Sequence, residues 1–174
     1  MPTILQQQDP VLRKKSKEVD LSEITSPEIK NIITEMKAAL ATQNDGIAIA
    51  APQIGYSLRI FLVSGSVLKL ADKKYKDDES DMIFINPVIS KLSREKQEVE
   101  EGCLSIRWKY GMIKRAMKVS IEAYDEHGKL VKRGASGLLA QVFQHECDHL
   151  DGVLFIDKAH DIKEVPPEKH VTTG

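Results

Sequence analysis

Two histidines four residues apart, His145 and His149, are the residues of this sequence best suited to chemistry. They belong to the run Gln144–Leu150, which has the pattern His-Glu-x-x-His. Residues spaced by four lie on one face of a helix, so both imidazoles can bind a single metal ion. Glu146 can then act as a general base on a water held by that ion. The pattern indicates a metal-dependent hydrolase, and a chance pair of surface histidines is the alternative.

A catalytic site of this kind usually has a third protein ligand and one position open to water. A metzincin would have its third histidine at position 155, which is Phe155, and the glutamates that a thermolysin-like site would use flank Pro166-Pro167, which excludes a helix there. Cys147 lies on the opposite side of the helix from the histidines and is expected to be a small buried apolar residue. Cys103 is the remaining soft ligand, although a lone cysteine after a glycine, taken alone, is more often structural.

Two helices are predicted to support these residues. Ser26-Pro27-Glu28 is typical of a helix N-terminus, with a capping hydroxyl, a proline at the first helical position and an acid in the first turn. Apolar residues at helical spacing extend this helix to about Gln43. The second helix is predicted from Gly137 to Asp151. It carries the metal motif, and Gly152 ends it.

Segments that predict strands outnumber the helices. They are 47–51, 59–64, 82–89, 97–104 and 118–124, the last followed by a turn and a return strand through Leu130 and Val131. Residues 65–81 are polar and predict a long exposed loop, and residues 165–174 predict a loose tail. Residues 1–174 therefore predict one α+β domain, in which mixed or antiparallel sheets pack around a central helix that carries the metal motif.

The composition excludes several classes of protein. The 174 residues are 41% hydrophobic and 29% charged, as in ordinary globular domains, and the formal net charge of −1 provides no general attraction to nucleic acid or to an anionic membrane. Two cysteines are too few for a disulfide scaffold and indicate a reducing compartment. No apolar run approaches the roughly 18 residues of a membrane span, and the N-terminus lacks signal-peptide features. A cytosolic location is expected.

Three motifs occur in an order and at a spacing that resemble those of peptide deformylases. They are Gly46–Gln53, Glu101–Ser105 and Gln144–Leu150, and Asp9–Arg13 near the start is also similar to that family. The resemblance covers essentially the whole chain. The three motifs together are far more specific than any one of them.

The resemblance implies a role for each motif. The implied metal ligands are Cys103, His145 and His149. Glu146 would take the proton of the attacking water and later give it to the departing amine. The side-chain amide of Gln53 and the backbone N–H of Leu104 would stabilise the tetrahedral oxyanion. The implied products are formate and a peptide with a free N-terminal methionine.

The same resemblance implies where the substrate binds. The peptide would add as a strand along Ile47-Ala48 and Gly102, and a pocket beside the metal helix would take the methionine side chain. The residues implied for substrate binding are Gly46, Ile47, Ala48, Gly102, Leu138, Gln141 and Val142. Glu101 and Arg115 resemble the family's buried ion pair beside the active site.

Three residues depart from the family pattern, namely Ala48 in place of glycine, Arg107 in place of the usual proline, and Gln141 in an otherwise apolar wall. A methyl group at position 48 is unfavourable if that backbone needs positive φ or a close approach of the ligand. These departures leave open a deformylase-like enzyme with altered N-acyl or peptide specificity. A non-catalytic, metal-stabilised peptide-binding module is a further alternative, but its expected signature is loss of Glu146 or Gln53, and both are present.

One thiolate and two imidazoles suit Zn²⁺ and also accept Fe²⁺, Co²⁺ or Ni²⁺. The resemblance implies one divalent ion, with Fe²⁺ the expected native metal. The implied partner is an N-formylmethionyl peptide. Transient contact with the ribosome stays open. Docking through a long basic C-terminal helix, as in some bacterial members, is not supported, because the C-terminal residues do not have that pattern. No nucleic-acid motif or membrane partner is expected, and the chemistry implies a bacterial cytoplasm or an organelle matrix.

Overall fold

The structure, a computed structural model, describes residues 2–67 and 80–167. Within these ranges the chain forms two long helices and eight strands, joined by turns and short 3-10 helices. Most of the predicted loop over 65–81 and of the predicted tail over 165–174 lies outside the described residues. In the described part of the chain, no helix is long and apolar enough to cross a membrane.

Helix α1 spans Pro27–Ala41 and begins where the sequence predicts. The Ser26 hydroxyl accepts a hydrogen bond from the Ile29 N–H at 3.3 Å, as expected of an N-cap. The helix ends two residues before the predicted Gln43, because Thr42 already bonds back to the carbonyls of the last turn. Its buried face is apolar throughout: Ile29, Ile32, Ile33, Met36, Ala39 and Leu40.

Helix α2 spans Gly137–Leu150 and carries the metal motif. Gly152 follows it with a φ of 75°, a conformation that favours glycine. A Cβ at this position would lie 2.6 Å from the Arg13 carbonyl oxygen. The end of α2 is therefore packed against the N-terminal segment. Position 152 requires glycine because of its positive φ and because a Cβ would overlap with the Arg13 backbone.

The strands form two sheets in which all ladders are antiparallel. The larger sheet has the order β1-β2-β3-β6-β7, with bounds Ala48–Ala50, Ile60–Val63, Met82–Leu92, Lys118–Tyr124 and Leu130–Ser136. The smaller sheet has the order β4-β5-β8, with bounds Lys96–Gly102, Lys109–Ala116 and His160–Glu164.

Two of these strands, β5 and β8, are not predicted by the sequence pattern. In β5 the buried side contains Arg115 beside Ile113, so a charged residue interrupts the apolar alternation. All five residues of β8 are exposed, so it has no apolar face to detect. β5 pairs with β4 directly before it in the chain, whereas β8 depends on pairing with β5, which lies far away in the sequence.

Helix α2 contacts both sheets, and this arrangement confirms the predicted α+β fold around a central helix. One face of α2 packs on the larger sheet, where Phe143 contacts the stacked rings of Phe61 and Phe84. On another side Asp148 pairs with Arg115 of β5. Helix α1 covers the opposite face of the larger sheet. The helix that carries the metal motif thus lies between the larger and the smaller sheet.

Candidate active site

The three predicted metal ligands lie together. The ligand atoms of Cys103, His145 and His149 are all within 4.8 Å of one another. Sγ of Cys103, in the loop after β4, lies 3.2 Å from Nε2 of His149. A thiolate and two imidazoles are a donor set that suits Zn²⁺ or Fe²⁺. The site can therefore hold a divalent ion.

The surroundings of the two histidines affect their protonation in opposite ways. Burial, followed by the charge of His145, holds the pKa of His149 well below its usual value, so His149 is neutral and able to bind a metal. Burial alone would lower the pKa of His145, but hydrogen bonds to Cys103 and Glu101 outweigh it and raise that pKa. Cys103 and Glu101, which stabilise a proton on His145, would stabilise the positive charge of a metal ion in the same way.

A buried ion-pair network orients His145. The Glu101 carboxylate accepts a hydrogen bond from Nδ1 of His145, and Arg115 donates to both Glu101 oxygens at 3.0 and 2.6 Å. Arg115 also donates to Asp148 at 2.8 Å. Burial opposes the charge on Glu101, but these hydrogen bonds hold its pKa at about 2. With Nδ1 engaged, Nε2 of His145 is left for a metal, and the predicted Glu101–Arg115 pair is present.

Replacing Arg115 by methionine is expected to lower the free energy of unfolding by about 3–5 kcal/mol, because it leaves the Glu101 charge buried without the guanidinium that donates to both of its oxygens. Both side chains of this pair are only 5% exposed. Urea unfolding would measure the loss. Arg13→Met is the matched control, since it breaks an exposed arginine–aspartate pair and should change stability by no more than about 1 kcal/mol. Equal losses in the two variants would contradict the network's role.

Glu146 is buried beside the metal ligands, with 4% of its surface exposed. Its Oε2 atom has no hydrogen-bond partner among the residues that the structure describes. Burial raises its pKa to about 7, with the charge of His145 opposing the shift. A buried acceptor without a partner is unfavourable for folding and is expected where function requires it. Such a carboxylate is suited to taking and returning a proton.

Gln53 is fixed at both ends of its amide. It lies in the 3-10 helix Ala51–Ile54 and is 1% exposed. Its Oε1 accepts from the Ala50 N–H at 2.8 Å, and its Nε2 donates to Ser105 Oγ at 3.1 Å and lies 3.8 Å from Cys103 Sγ. The amide nitrogen is therefore held next to the metal ligands. Sequence reasoning missed this contact of Ser105, although the residue belongs to the second motif.

A cavity of about 450 Å³ opens above these groups, a volume typical of small-ligand sites. Its lining includes most of the predicted catalytic and substrate-binding residues: Ile47, Ala48, Gln53, Gly102, Cys103, Leu104, Leu138, Gln141, Val142, His145 and Glu146. Two predicted residues are outside this lining. His149 lies beneath it and is 1% exposed. Gly46 packs on α1, where a Cβ would lie 2.7 Å from Leu40 Cδ1.

The structure bears on two of the departures. Ala48 lies in β1, paired with Val63, with ordinary extended backbone, so of the two conditions considered for this position positive φ does not apply, and the close approach of a ligand stays a prediction. Gln141 donates to the Glu100 carbonyl at 2.9 Å and to Glu101 at 3.3 Å. Its polar amide thus connects α2 to β4. The cavity lining also includes Arg107, which the sequence marked as a departure, and its neighbour Trp108. Asp45 and Tyr110, which line it as well, were not identified from the sequence.

Comparison with known proteins gives consistent matches. Residues 1–165 match the family described as Polypeptide deformylase. The peptide deformylase of Pseudothermotoga lettingae is 44% identical over 86% of this chain and 77% of its own length. Peptide deformylase 1A, chloroplastic/mitochondrial, of Arabidopsis thaliana is 38% identical over 91% of this chain, which spans 61% of the plant protein. A Met-Ala-Ser-bound class I type b peptide deformylase from Acinetobacter baumannii superposes with a TM-score of 0.78 at 28% identity, covering 89% of this chain and 96% of that one.

Proposed function

The chain belongs to the polypeptide deformylase family, and we propose that it removes the N-formyl group from the formylmethionine at the start of nascent polypeptides, releasing formate. It is a metal-dependent hydrolase. One observation carries the proposal: a cysteine sulfur and two imidazole nitrogens meet within 4.8 Å, next to a cavity that Cys103, His145 and buried Glu146 line. Because relatives occur in bacteria and in plant organelles, we place its action in a bacterial cytoplasm or an organelle matrix.

Cys103, His145 and His149 would hold one divalent ion, which we propose to be Fe²⁺, with Zn²⁺, Co²⁺ or Ni²⁺ suited to the same donors. When bound, such an ion polarises a carbonyl group and lowers the pKa of a water molecule. Glu101 keeps the His145 ring oriented by accepting from Nδ1. Arg115 in turn fixes Glu101, so the ligands are positioned before any ion arrives.

Glu146 moves the proton in this mechanism. Its Oε2, which has no partner in the described part of the chain, takes the proton of the water that attacks the formyl carbon. Glu146 then gives that proton to the amine nitrogen as the C–N bond breaks. The buried position keeps the carboxylate close to the reacting atoms and away from bulk water.

Gln53 and Leu104 stabilise the negative oxygen that forms on the attacked carbon. The Gln53 amide is held by Ala50 and Ser105, so it needs no rearrangement when charge develops. The Leu104 backbone N–H is the second proposed donor. Donors that are already oriented are the most effective form of this stabilisation.

The peptide binds between two edge strands. β1 is at one end of the larger sheet and β4 is at one end of the smaller sheet. Edge strands offer backbone groups to an added strand. We propose that the peptide backbone pairs with Ile47-Ala48 on one side and Gly102 on the other. The methionine side chain then lies against Leu138 and Val142 of α2.

The test is release of formate from formyl-Met-Ala-Ser by protein purified and loaded with Fe²⁺ under anaerobic conditions. We expect turnover that a chelator abolishes, since the activity needs the metal. Acetyl-Met-Ala-Ser is the matched control and should react at least about a hundredfold more slowly, because a tight site rejects the larger acyl group. Comparable turnover of both substrates would indicate altered N-acyl specificity. No turnover of either would contradict the proposal.

A further inference from the structure

Arg107, which stands where the family's usual proline is expected, links two loops at the mouth of the cavity. Its Nη1 donates to Asp45 Oδ2 at 2.7 Å and its Nη2 donates to Asp45 Oδ1 at 3.1 Å. This is the paired geometry that an arginine makes with a carboxylate. Nη2 also donates to the side-chain oxygen of Gln43. The Arg107 side chain is 18% exposed and the Asp45 side chain is 52% exposed, so the arginine side of the link is shielded and the carboxylate side faces solvent.

The two linked loops carry groups with different roles in the proposed reaction. Asp45 precedes Ile47, at the start of the edge that is proposed to bind the peptide. Arg107 follows Leu104, whose N–H is a proposed oxyanion donor. Gln6 holds the Leu104 loop independently, because its Nε2 donates to the Leu104 carbonyl at 3.0 Å and its Oε1 accepts from the Arg107 N–H at 3.3 Å. Loss of the Asp45 contact therefore leaves a second support for the oxyanion donor.

We infer that the Arg107–Asp45 pair is a latch that positions the peptide-binding segment 46–48 relative to the loop 104–108. This inference rests on the proposed function. A peptide lying along both segments binds more tightly when their spacing is set in advance, because less ordering is required on binding. Proline at position 107 could not make this link, since it has no side-chain donor. Arg107 is thus a positioning residue, and its effect falls on substrate binding.

Arg107→Ala is expected to raise KM for formyl-Met-Ala-Ser about two- to fivefold and to leave kcat within about twofold. Asp45→Ala should also raise KM, and the double variant should raise it by less than the product of the two single effects, because the Arg107–Asp45 pair is lost in all three. The exchanged pair, Asp45→Arg with Arg107→Asp, should recover part of the loss. Steady-state kinetics at low ionic strength measure these effects.

Arg13→Ala is the matched control, because Arg13 makes the same two-point contact with Asp157 away from the cavity; its KM should equal that of the wild type. Independent, additive effects of the two single variants would overturn the latch, as would a loss seen only in kcat or thermal stability. So would a KM effect that disappears with a C-terminally amidated peptide, since Arg107 would then bind the substrate's carboxylate directly. Absent wild-type turnover overturns the proposed function and the latch together, whereas wild-type turnover with unchanged KM in Arg107→Ala overturns the latch alone.

Discussion

Glu146→Ala lowers kcat for formyl-Met-Ala-Ser by about 10²–10⁴-fold while the protein keeps its metal; this is the largest effect that we expect. This range is the typical contribution of general acid–base catalysis. The metal should stay bound, because the three residues whose atoms can hold it are Cys103, His145 and His149. The variant removes a buried carboxylate whose Oε2 lacks a hydrogen-bond partner among the described residues. Folding should therefore tolerate the change.

Metal analysis and single-turnover kinetics on the same preparation test this expectation. Glu146→Gln is the conservative companion, because it keeps the side-chain volume and removes the proton acceptor. Both variants should be equally inactive and fully metal-loaded. Near-native turnover in either loaded variant would show that another group accepts the proton. Loss of metal in both would indicate that Glu146 belongs to the ligand set.

Cys103→Ser should lose most of its metal on dialysis, because a serine hydroxyl is a much poorer ligand for these ions than a thiolate. Turnover should fall with the metal content. The thermal stability of the wild type should drop on chelation, since metal binding stabilises the folded state, whereas that of Cys103→Ser should change little.

Cys147→Ser is the matched control for this prediction. Cys147 is 8% exposed within the core on the sheet-facing side of α2, and burial raises the pKa of its thiol to about 12, so it stays protonated. The substitution should cost about 1–3 kcal/mol of stability through burial of a hydroxyl and leave the metal bound. Equal metal content in the two purified variants would exclude Cys103 as the third ligand.

The elements that depend on neighbouring residues could be predicted from the sequence. The start of α1 follows from Ser26-Pro27, whose capping geometry is local. The approach of His145 and His149 follows from the period of α2, because residues four apart share a face in any helix. The role of Cys103 as a metal ligand, by contrast, does not follow from any local pattern. It was predicted because Cys103 is the remaining soft ligand and because the motifs resemble a family.

Tertiary structure decided the contacts between distant segments. Cys103 meets His149 across 46 residues of sequence, and Arg107 meets Asp45 across 62. Strand β8 has no apolar face and exists only because β5 lies beside it. The backbone conformation of Ala48, which the sequence left open, is set by pairing with β2. Helical contacts repeat with a fixed short period, whereas sheet pairing and loop contacts depend on partners that no local pattern specifies.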